Sequence, residues 1–162
     1  MEVVVTRSVA LAIPAETMWR AACRLDDVNQ ELAPWLRMTT PQAMRGRSID
    51  ELPPGAPVGR SWLLLGRLIP VDFDDLCLAE IEPPRRFLER SRMGSMSRWE
   101  HERTIEADGE GSCLLTDRLA FVLRSPLSFV PGGQGLARRV VELLFRHRHR
   151  RLLERYGSPK RR

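Results

Sequence analysis

Long apolar runs, paired cysteines and lysines are all scarce in this sequence. No run approaches the roughly 18 apolar residues that a membrane-spanning helix needs, so we expect no membrane span. The three cysteines (Cys23, Cys77 and Cys113) are far apart and include no C-x-x-C pair, which argues against both a disulfide framework and a zinc site. Three cysteines cannot all form disulfides with one another, which favours a reducing compartment. We therefore expect a cytoplasmic protein. The first residues contain an acid and alternate early, unlike a signal peptide.

The composition is that of a folded domain. Hydrophobic residues make up 43% and charged residues 29% of the 162 residues, which excludes a disordered chain. This length provides one core and not two. We therefore predict a single domain over residues 1–157, followed by a short basic tail over residues 158–162.

Positive charge is concentrated near the C-terminus. The chain has 26 Lys and Arg residues against 21 Asp and Glu residues, and Lys160 is its only lysine. From residue 138 onward nine arginines and Lys160 stand against two glutamates, so the rest of the chain is net acidic. Clustered arginines can neutralise phosphates, but Tyr156 is the only Phe, Trp or Tyr from Arg146 onward that could stack on a base. We expect a solvated helix face here, with a nucleic-acid or protein adaptor as a third, less favoured function.

Apolar periodicity and turn residues predict a strand, two short helices, a run of five or six strands and one long helix. The first helix opens at Pro14, because proline is tolerated in a first turn. The segments rich in β-branched and aromatic residues, each bounded by turn residues, are 3–13, 60–68, 71–81, 85–93, 97–107 and 112–123. Residues 35–45 add a short interrupted strand. Asp108-Gly109 between the last two long segments is typical of a hairpin.

The longest predicted helix runs from Leu136 to about Tyr156. No proline interrupts this stretch, and apolar residues including Val141 and Phe145 recur on one face of it. An antiparallel sheet of this length must bury its apolar face, and this helix is the only element large enough to cover it. A curved sheet around a helix leaves a space between them, which favours a pocket for an apolar molecule.

Several motifs resemble the START-like superfamily, also called SRPBCC or Bet-v-1-like, which includes polyketide cyclase/dehydratase-type proteins. The motifs are Ile13-Pro14-Ala15-Glu16-Thr17-Met18-Trp19, Glu80-Ile81-Glu82-Pro83-Pro84-Arg85-Arg86-Phe87, Trp99-Glu100-His101-Glu102-Arg103, Thr116-Asp117-Arg118-Leu119 and Phe145-Arg146-His147-Arg148-His149-Arg150-Arg151-Leu152.

This resemblance implies an α+β helix-grip fold, with a curved antiparallel sheet wrapped around a long C-terminal helix and two short helices after the first strand. It also implies a hydrophobic ligand and no cofactor. The chain is most similar to the bacterial ligand-binding and cyclase-like branch. It departs from the plant allergen branch, because residues 53–60 are proline-rich where that branch has a glycine-rich loop. No catalytic residue is therefore carried over.

Three polar residues are predicted on the inner face of the sheet. Side chains alternate along a strand, so His101 and Arg103 share a face with Ile105, and Asp117 shares a face with Phe121. Inward charges are costly unless paired, so we expect an ionised Asp117 to meet Arg103 or His101. The group is either a structural ion pair, a polar anchor for a ligand carbonyl or hydroxyl, or an acid/base pair in a cyclase-like site.

The predicted function is binding of a small hydrophobic ligand, such as a lipid, a polyketide or an aromatic metabolite. The alternative is an aromatic cyclase or dehydratase-type enzyme that uses the same cavity, although no catalytic motif is found. Apolar walls and polar contacts are predicted from Trp62, Leu64, Phe73, Trp99, His101, Arg103, Asp117, Leu119, Phe121, Val141 and Phe145.

Three other clusters are given no functional role. Asp72, Asp74 and Asp75 are expected to form a solvated strand entry, because a metal site needs further ligands that converge on it. His147 and His149 are two residues apart on a helix and point in different directions, so no metal is expected there. Residues 132–135 (Gly-Gly-Gln-Gly) lack the phosphate-binding lysine, and we expect a flexible hinge beside the pocket mouth.

Overall fold

Seven strands form one antiparallel sheet that curls around a long C-terminal helix. A computed structural model describes residues 1–159, so residues 160–162 of the predicted basic tail lie outside the described residues. The elements are β1 (Val3–Leu11), α1 (Ala15–Ala22), α2 (Leu25–Leu32), β2 (Leu36–Met38), β3 (Pro57–Leu65), β4 (Ile69–Glu82), β5 (Arg86–Met93), β6 (Met96–Ala107), β7 (Cys113–Leu123) and α3 (Gly133–Tyr156). The strand order is β1-β7-β6-β5-β4-β3-β2. The predicted helix-grip fold is therefore confirmed.

The β6–β7 hairpin sets the register of the inner face. Gly109 has a φ of 79° in the turn, a conformation that favours glycine, and the backbone N–H of Asp108 donates to the carbonyl of Ser112 at 3.0 Å. In this register Arg103 lies opposite Asp117. The hairpin predicted from Asp108-Gly109 thus places two charged side chains side by side.

The core has two parts, both covered by α3. One part surrounds Leu115 and Leu152 beneath α1, and the other surrounds Phe121, Val141 and Phe145. Phe145 is only 1% exposed, and burying a phenylalanine side chain contributes about 1.5–3 kcal/mol. The apolar face of α3 predicted from the sequence is therefore the face that packs on the sheet.

The start of α3 differs from the prediction. The helix begins at Gly133, three residues before Leu136, and Gly132 precedes it with a φ of 75°. Gly133 to Gly135 form the first helical turn, so the expected hinge is absent at these positions. Helical hydrogen bonding has already begun there, because the N–H of Leu136 donates to the carbonyl of Gly132 at 3.0 Å.

Candidate functional site

A cavity of about 250 Å³ lies between the inner face of the sheet and α3. Its walls are mostly apolar, and they come from α1, α2, the five strands β2 to β6 and α3. Trp99 of β6 and Phe145 of α3 are buried wall residues, whereas Val140 of α3 is 55% exposed. The cavity therefore reaches the surface beside the first half of α3.

Five of the predicted contact residues line this cavity: Trp99, His101, Arg103, Val141 and Phe145. Leu119 and Phe121 are fully buried in the cluster behind that wall, together with Trp99 and Phe145. They support the wall but lie outside the lining. Whether the five lining residues contact a ligand stays a prediction.

The structure corrects the placement of Trp62, Phe73 and Leu64. Trp62 is 44% exposed and packs edge-on against Phe73 with ring centroids 5.7 Å apart, on the convex face of the sheet. The Arg60 guanidinium lies 4.0 Å from the centroid of the Phe73 ring, so the two aromatic rings are covered without entering the core. Leu64 follows a register shift in β3, and its neighbour Leu63 lines the cavity instead.

The predicted polar residues meet at Asp117. Its Oδ1 accepts a hydrogen bond from Arg103 Nε at 2.7 Å and lies 2.7 Å from His101 Nε2. Its Oδ2 accepts from Arg103 Nη2 at 3.0 Å and lies 2.7 Å from Nε2 of His149 on α3. Asp117 is fully buried, and both of its oxygens are engaged twice. The sequence predicted the first two partners and missed His149.

Glu31 of α2 extends this network to the helices. It accepts from Arg103 Nη1 at 3.0 Å and Nη2 at 3.1 Å, and from Arg148 Nε at 2.9 Å. Glu31 and Arg148 are 3% and 6% exposed. Sequence reasoning missed both, because Glu31 lies 72 residues from Arg103 and no local spacing connects them. Their only sequence signal is a position on the apolar side of an amphipathic helix.

The charges in this network compensate one another. Burial raises the pKa of a carboxyl group, but the charge of Arg103 and the hydrogen bonds from His101 and His149 hold the pKa of Asp117 well below its usual value. Burial also acts on Glu31, and the charges of Arg103 and Arg148 lower its pKa despite that. Both carboxylates are therefore ionised at neutral pH. Asp117 lies outside the cavity lining, behind His101 and Arg103, and a contact between Asp117 and a ligand stays a prediction.

A second carboxyl pair does line the cavity. Asp74 of β4 and Glu89 of β5 face inward and are 3% and 8% exposed. Glu89 accepts a hydrogen bond from Ser91 Oγ at 2.8 Å, and its Oε2 lies 3.8 Å from His101 Nδ1. Within residues 1–159, Asp74 Oδ1 is buried and has no hydrogen-bond partner. This pair was not predicted.

The two members of the pair differ in charge, because Asp74 is neutral and Glu89 is ionised. Burial and the charge of Glu89 raise the pKa of Asp74 to about 10, so Asp74 is protonated at neutral pH. Burial also acts on Glu89, but His101, whose Nδ1 lies 3.8 Å away, and the hydrogen bonds from Asp74 and Ser91 lower the pKa of this carboxyl. A neutral acid and a carboxylate therefore lie next to each other on the cavity wall.

The expected solvated strand entry at Asp72, Asp74 and Asp75 is wrong for Asp74. Asp72 is half-buried. It accepts hydrogen bonds from the backbone N–H of Phe73 at 2.8 Å, from the backbone N–H of Ser95 at 3.2 Å, and from the Ser95 hydroxyl. Asp75 faces outward and is paired with an arginine. Asp74 shares its face with the buried residues Leu76 and Leu78, and this alternation is the signal that could have placed it inside.

The structure also bears on metals and membranes. Within residues 1–159, no group of three or more His, Cys, Asp or Glu side chains is arranged to hold a metal ion. None of the helices in that range combines the length and the apolar character needed to cross a membrane.

Comparisons with known proteins identify the fold. A family model described as "Domain of unknown function (DUF8410)" matches residues 9–156, and no curated protein matches the sequence significantly. A START superfamily protein from Mycobacterium smegmatis is 17% identical, with a TM-score of 0.62 over 93% of this chain and 97% of that one. The Zhui aromatase/cyclase from Streptomyces sp. R1128 is 14% identical, with a TM-score of 0.70 over 96% and 93%.

Protein CV1439 from Chromobacterium violaceum is a third similar structure. It is 11% identical, with a TM-score of 0.70 over 96% of this chain and 99% of that one. Identities this low establish the architecture alone. The resemblance to the START-like superfamily is therefore confirmed at the level of the fold.

Proposed function

The chain belongs to the DUF8410 family, and from this premise we propose that it binds a small hydrophobic molecule between its sheet and α3. The observation that carries the proposal is the mostly apolar cavity of about 250 Å³. Ligand sites in proteins occupy about 300–1,000 Å³ and are apolar with a few fixed polar groups. A volume near the lower end favours a compact aromatic or single-chain molecule.

The walls support this function because few side chains would need to move. Trp99, Val141 and Phe145 are each less than 10% exposed and belong to one packed cluster. The His101 ring packs edge-on against Phe145 with ring centroids 5.3 Å apart, and the Arg148 guanidinium lies 4.7 Å from the Phe145 ring. Such packing fixes the shape of the cavity before a ligand enters, which lowers the entropic cost of binding.

The enzyme alternative has weaker support from the predicted polar residues. The Nε, Nη1 and Nη2 atoms of Arg103 all bind Asp117 or Glu31, and Asp117 has no exposed surface. Groups that are engaged in this way favour a structural ion network over acid–base chemistry. Likewise, Arg138 and Arg155 form ion pairs within the chain, with Glu142 and Asp27, which favours a solvated helix face over an adaptor surface.

A fluorescent apolar probe tests the proposal. We expect N-phenyl-1-naphthylamine, excited directly, to gain fluorescence on binding, and native mass spectrometry to reveal a co-purified small molecule. Leu144 lines the cavity, so Leu144→Trp should fill part of it and weaken binding roughly tenfold, a change of about 1.4 kcal/mol. Leu143 is adjacent, 58% exposed and outside this lining, so Leu143→Trp is the matched control.

Two results would contradict ligand binding in this cavity. One is the absence of both probe binding and a co-purified molecule in the unaltered protein. The other is an equal loss of probe affinity in the Leu144→Trp and Leu143→Trp variants, because binding would then lie outside the cavity.

A further inference from the structure

We propose that Asp74 and Glu89 form a head-group site in the cavity and that this site takes an apolar molecule bearing an aliphatic amine. The inference rests on the proposed function, because it names the chemical class of the molecule that the cavity holds. It starts from two carboxyl groups that face the same enclosed space from neighbouring strands.

Asp74 has no cationic partner among its described neighbours, although its side chain hydrogen-bonds to Glu89 and Ser91. Its side chain is 3% exposed, and Oδ1 has no hydrogen-bond partner within the described part of the chain. Its near neighbours are Glu89 and Ser91 on β5 and Asp72 on β4. The Ser91 hydroxyl is already donated to Glu89, and Asp72 is itself an acid. No cationic side chain is among these neighbours.

The arginine side chains around the cavity are paired with carboxylates other than that of Asp74. The charged or titratable side chains that line it are Cys23, Arg24, Asp72, Glu89, His101, Arg103 and Arg148, besides Asp74 itself. Arg103 binds Asp117 and Glu31, and Arg148 binds Glu31. Arg24 is 66% exposed at its side chain and lies 3.8 Å from Asp27.

His101 lies between the two buried carboxyl groups Asp117 and Glu89. Its Nε2 lies 2.7 Å from Asp117 and its Nδ1 lies 3.8 Å from Glu89. His101 is therefore within hydrogen-bond distance of Asp117, whereas its contact with Glu89 is longer. At the β4–β5 end of the cavity, residues 1–159 provide no cation for the carboxyl group of Asp74.

An ammonium group would complete this end of the cavity. With no cation present, Asp74 keeps its proton, because an unpaired charge in a desolvated site is unfavourable. When R–NH3⁺ enters, the Asp74 O–H bond breaks, the proton passes to solvent, and the Asp74 carboxylate pairs with the ammonium. Charge balances, because one cation enters the site as one proton leaves it. Glu89 supplies a second acceptor for the remaining N–H groups.

Other head groups fit less well. A ligand carboxylate would meet the ionised Glu89 and be repelled. A hydroxyl could bond to the neutral Asp74 but would release no proton. A metal ion would need three or more convergent ligands, and residues 1–159 contain no such arrangement. The chemistry of the pair therefore favours an amine.

Three eight-carbon probes test the proposal: octylamine, octan-1-ol and octanoate. Each is titrated by calorimetry at pH 7 in two buffers that differ in ionisation enthalpy, so that released protons are counted. We expect octylamine to bind at least about tenfold more tightly than octan-1-ol, a difference of about 1.4 kcal/mol. Its binding should release close to one proton and strengthen by up to about tenfold per pH unit from pH 6 to 8.

Two variants locate the effect. Asp74→Asn replaces a neutral acid by a neutral amide of similar shape, so octan-1-ol binding should persist. Octylamine binding should weaken about tenfold, the proton release should disappear, and the pH dependence should be lost. Asp75→Asn changes the next residue on the same strand, which faces outward, and should leave all three titrations unchanged.

The outcomes separate this inference from the proposed function. If octan-1-ol or octanoate binds as tightly as octylamine and no proton is released, the amine site is wrong while the cavity still binds apolar molecules. If Asp74→Asn leaves octylamine binding unaltered, the site is also wrong. If neither the three probes nor N-phenyl-1-naphthylamine bind, both proposals fail.

Discussion

Asp117 and Asp74 are both buried carboxyl groups on the concave face of one sheet, yet their surroundings are opposite. Asp117 is surrounded by Arg103, His101 and His149, which engage each of its oxygens twice. Asp74 has a carboxylate, that of Glu89, as its nearest charged neighbour. Both lose water to a similar degree, but only Asp117 gains cations in return.

The difference appears in their protonation. Burial would raise the pKa of both groups, and Arg103 reverses this effect at Asp117 but nothing reverses it at Asp74. Asp117 is therefore a charged member of a closed network, and Asp74 is a neutral acid with an unused hydrogen-bonding oxygen. Burial alone does not decide the state of a carboxyl group, because the supply of nearby cations does.

The two regions also differ in what they connect. The Asp117 network joins β6 and β7 to Glu31 of α2 and to Arg148 and His149 of α3. It fixes both helices against the sheet and therefore maintains the cavity, and only its members His101, Arg103 and Arg148 reach the lining. The Asp74–Glu89 pair connects two neighbouring strands and faces the cavity directly. A structural role suits the first region, and a ligand-contacting role suits the second.

Removing the charge of Asp117 should have the largest effect. Asp117→Asn leaves Arg103 without its closest counter-ion, and breaking a fully buried pair costs about 3–5 kcal/mol. Urea unfolding at pH 7 should show this loss, whereas Asp108→Asn in the exposed β6–β7 turn should unfold like the unaltered protein.

The pH dependence of the Asp117→Asn effect has a defined sign. The folded pKa of Asp117 lies below its unfolded value, so its stabilisation is present at neutral pH and is lost as the pH falls through the folded pKa. The two unfolding curves should therefore converge under acidic conditions. A loss below about 1 kcal/mol at pH 7 would contradict the closed network, since that is the scale of one net hydrogen bond.

Local patterns were sufficient to predict the fold and half of the site. Period-two alternation placed His101 and Arg103 on the inner face, and the Asp108-Gly109 turn fixed β7 beside β6, so Asp117 followed. These inferences needed only neighbouring strands. Glu31 could not be predicted in the same way, because its contact with Arg103 depends on how α2 packs against the sheet.

Hydrophobicity alone predicts the wrong inner face for β4. Phe73 is apolar, which predicts an inward side chain, and alternation would then place Asp74 outside. In the structure Phe73 pairs with Trp62 under Arg60 on the convex face, and Asp74 faces the cavity. Exposed aromatic residues are common enough that one of them cannot set the face of a strand.

Neutralising Asp74 should have an effect of opposite sign that grows with pH. The folded pKa of Asp74, about 10, exceeds its unfolded value, so the stability of the unaltered protein should fall as pH rises between the two values. Asp74→Asn removes this dependence. Its stability advantage over the unaltered protein should therefore increase from pH 4 to 9, with a slope of at most about 1.4 kcal/mol per pH unit for one proton.

The measurement for Asp74→Asn is urea unfolding at several pH values from 4 to 9. Near pH 4 the difference between the two free energies of unfolding should be smallest, because Asp74 is then protonated in the folded chain and about half protonated in the unfolded chain. Parallel curves over the whole range would mean that Asp74 is ionised in the folded protein. The comparison with Asp117 would then lose its basis.

The smallest effect is expected one residue further along β4. Asp75 accepts from Arg60 Nε at 2.7 Å and Nη2 at 2.9 Å, but the two side chains are 43% and 48% exposed. Water screens such a pair, so Asp75→Asn should change the free energy of unfolding far less than Asp117→Asn does. Any change should shrink further in 1 M salt. Arg60 keeps its contact with the Phe73 ring, which holds the convex face together without the carboxylate. If Asp75→Asn lost as much stability as Asp117→Asn, solvent exposure would not distinguish the contributions of these two carboxyl groups to the free energy of unfolding.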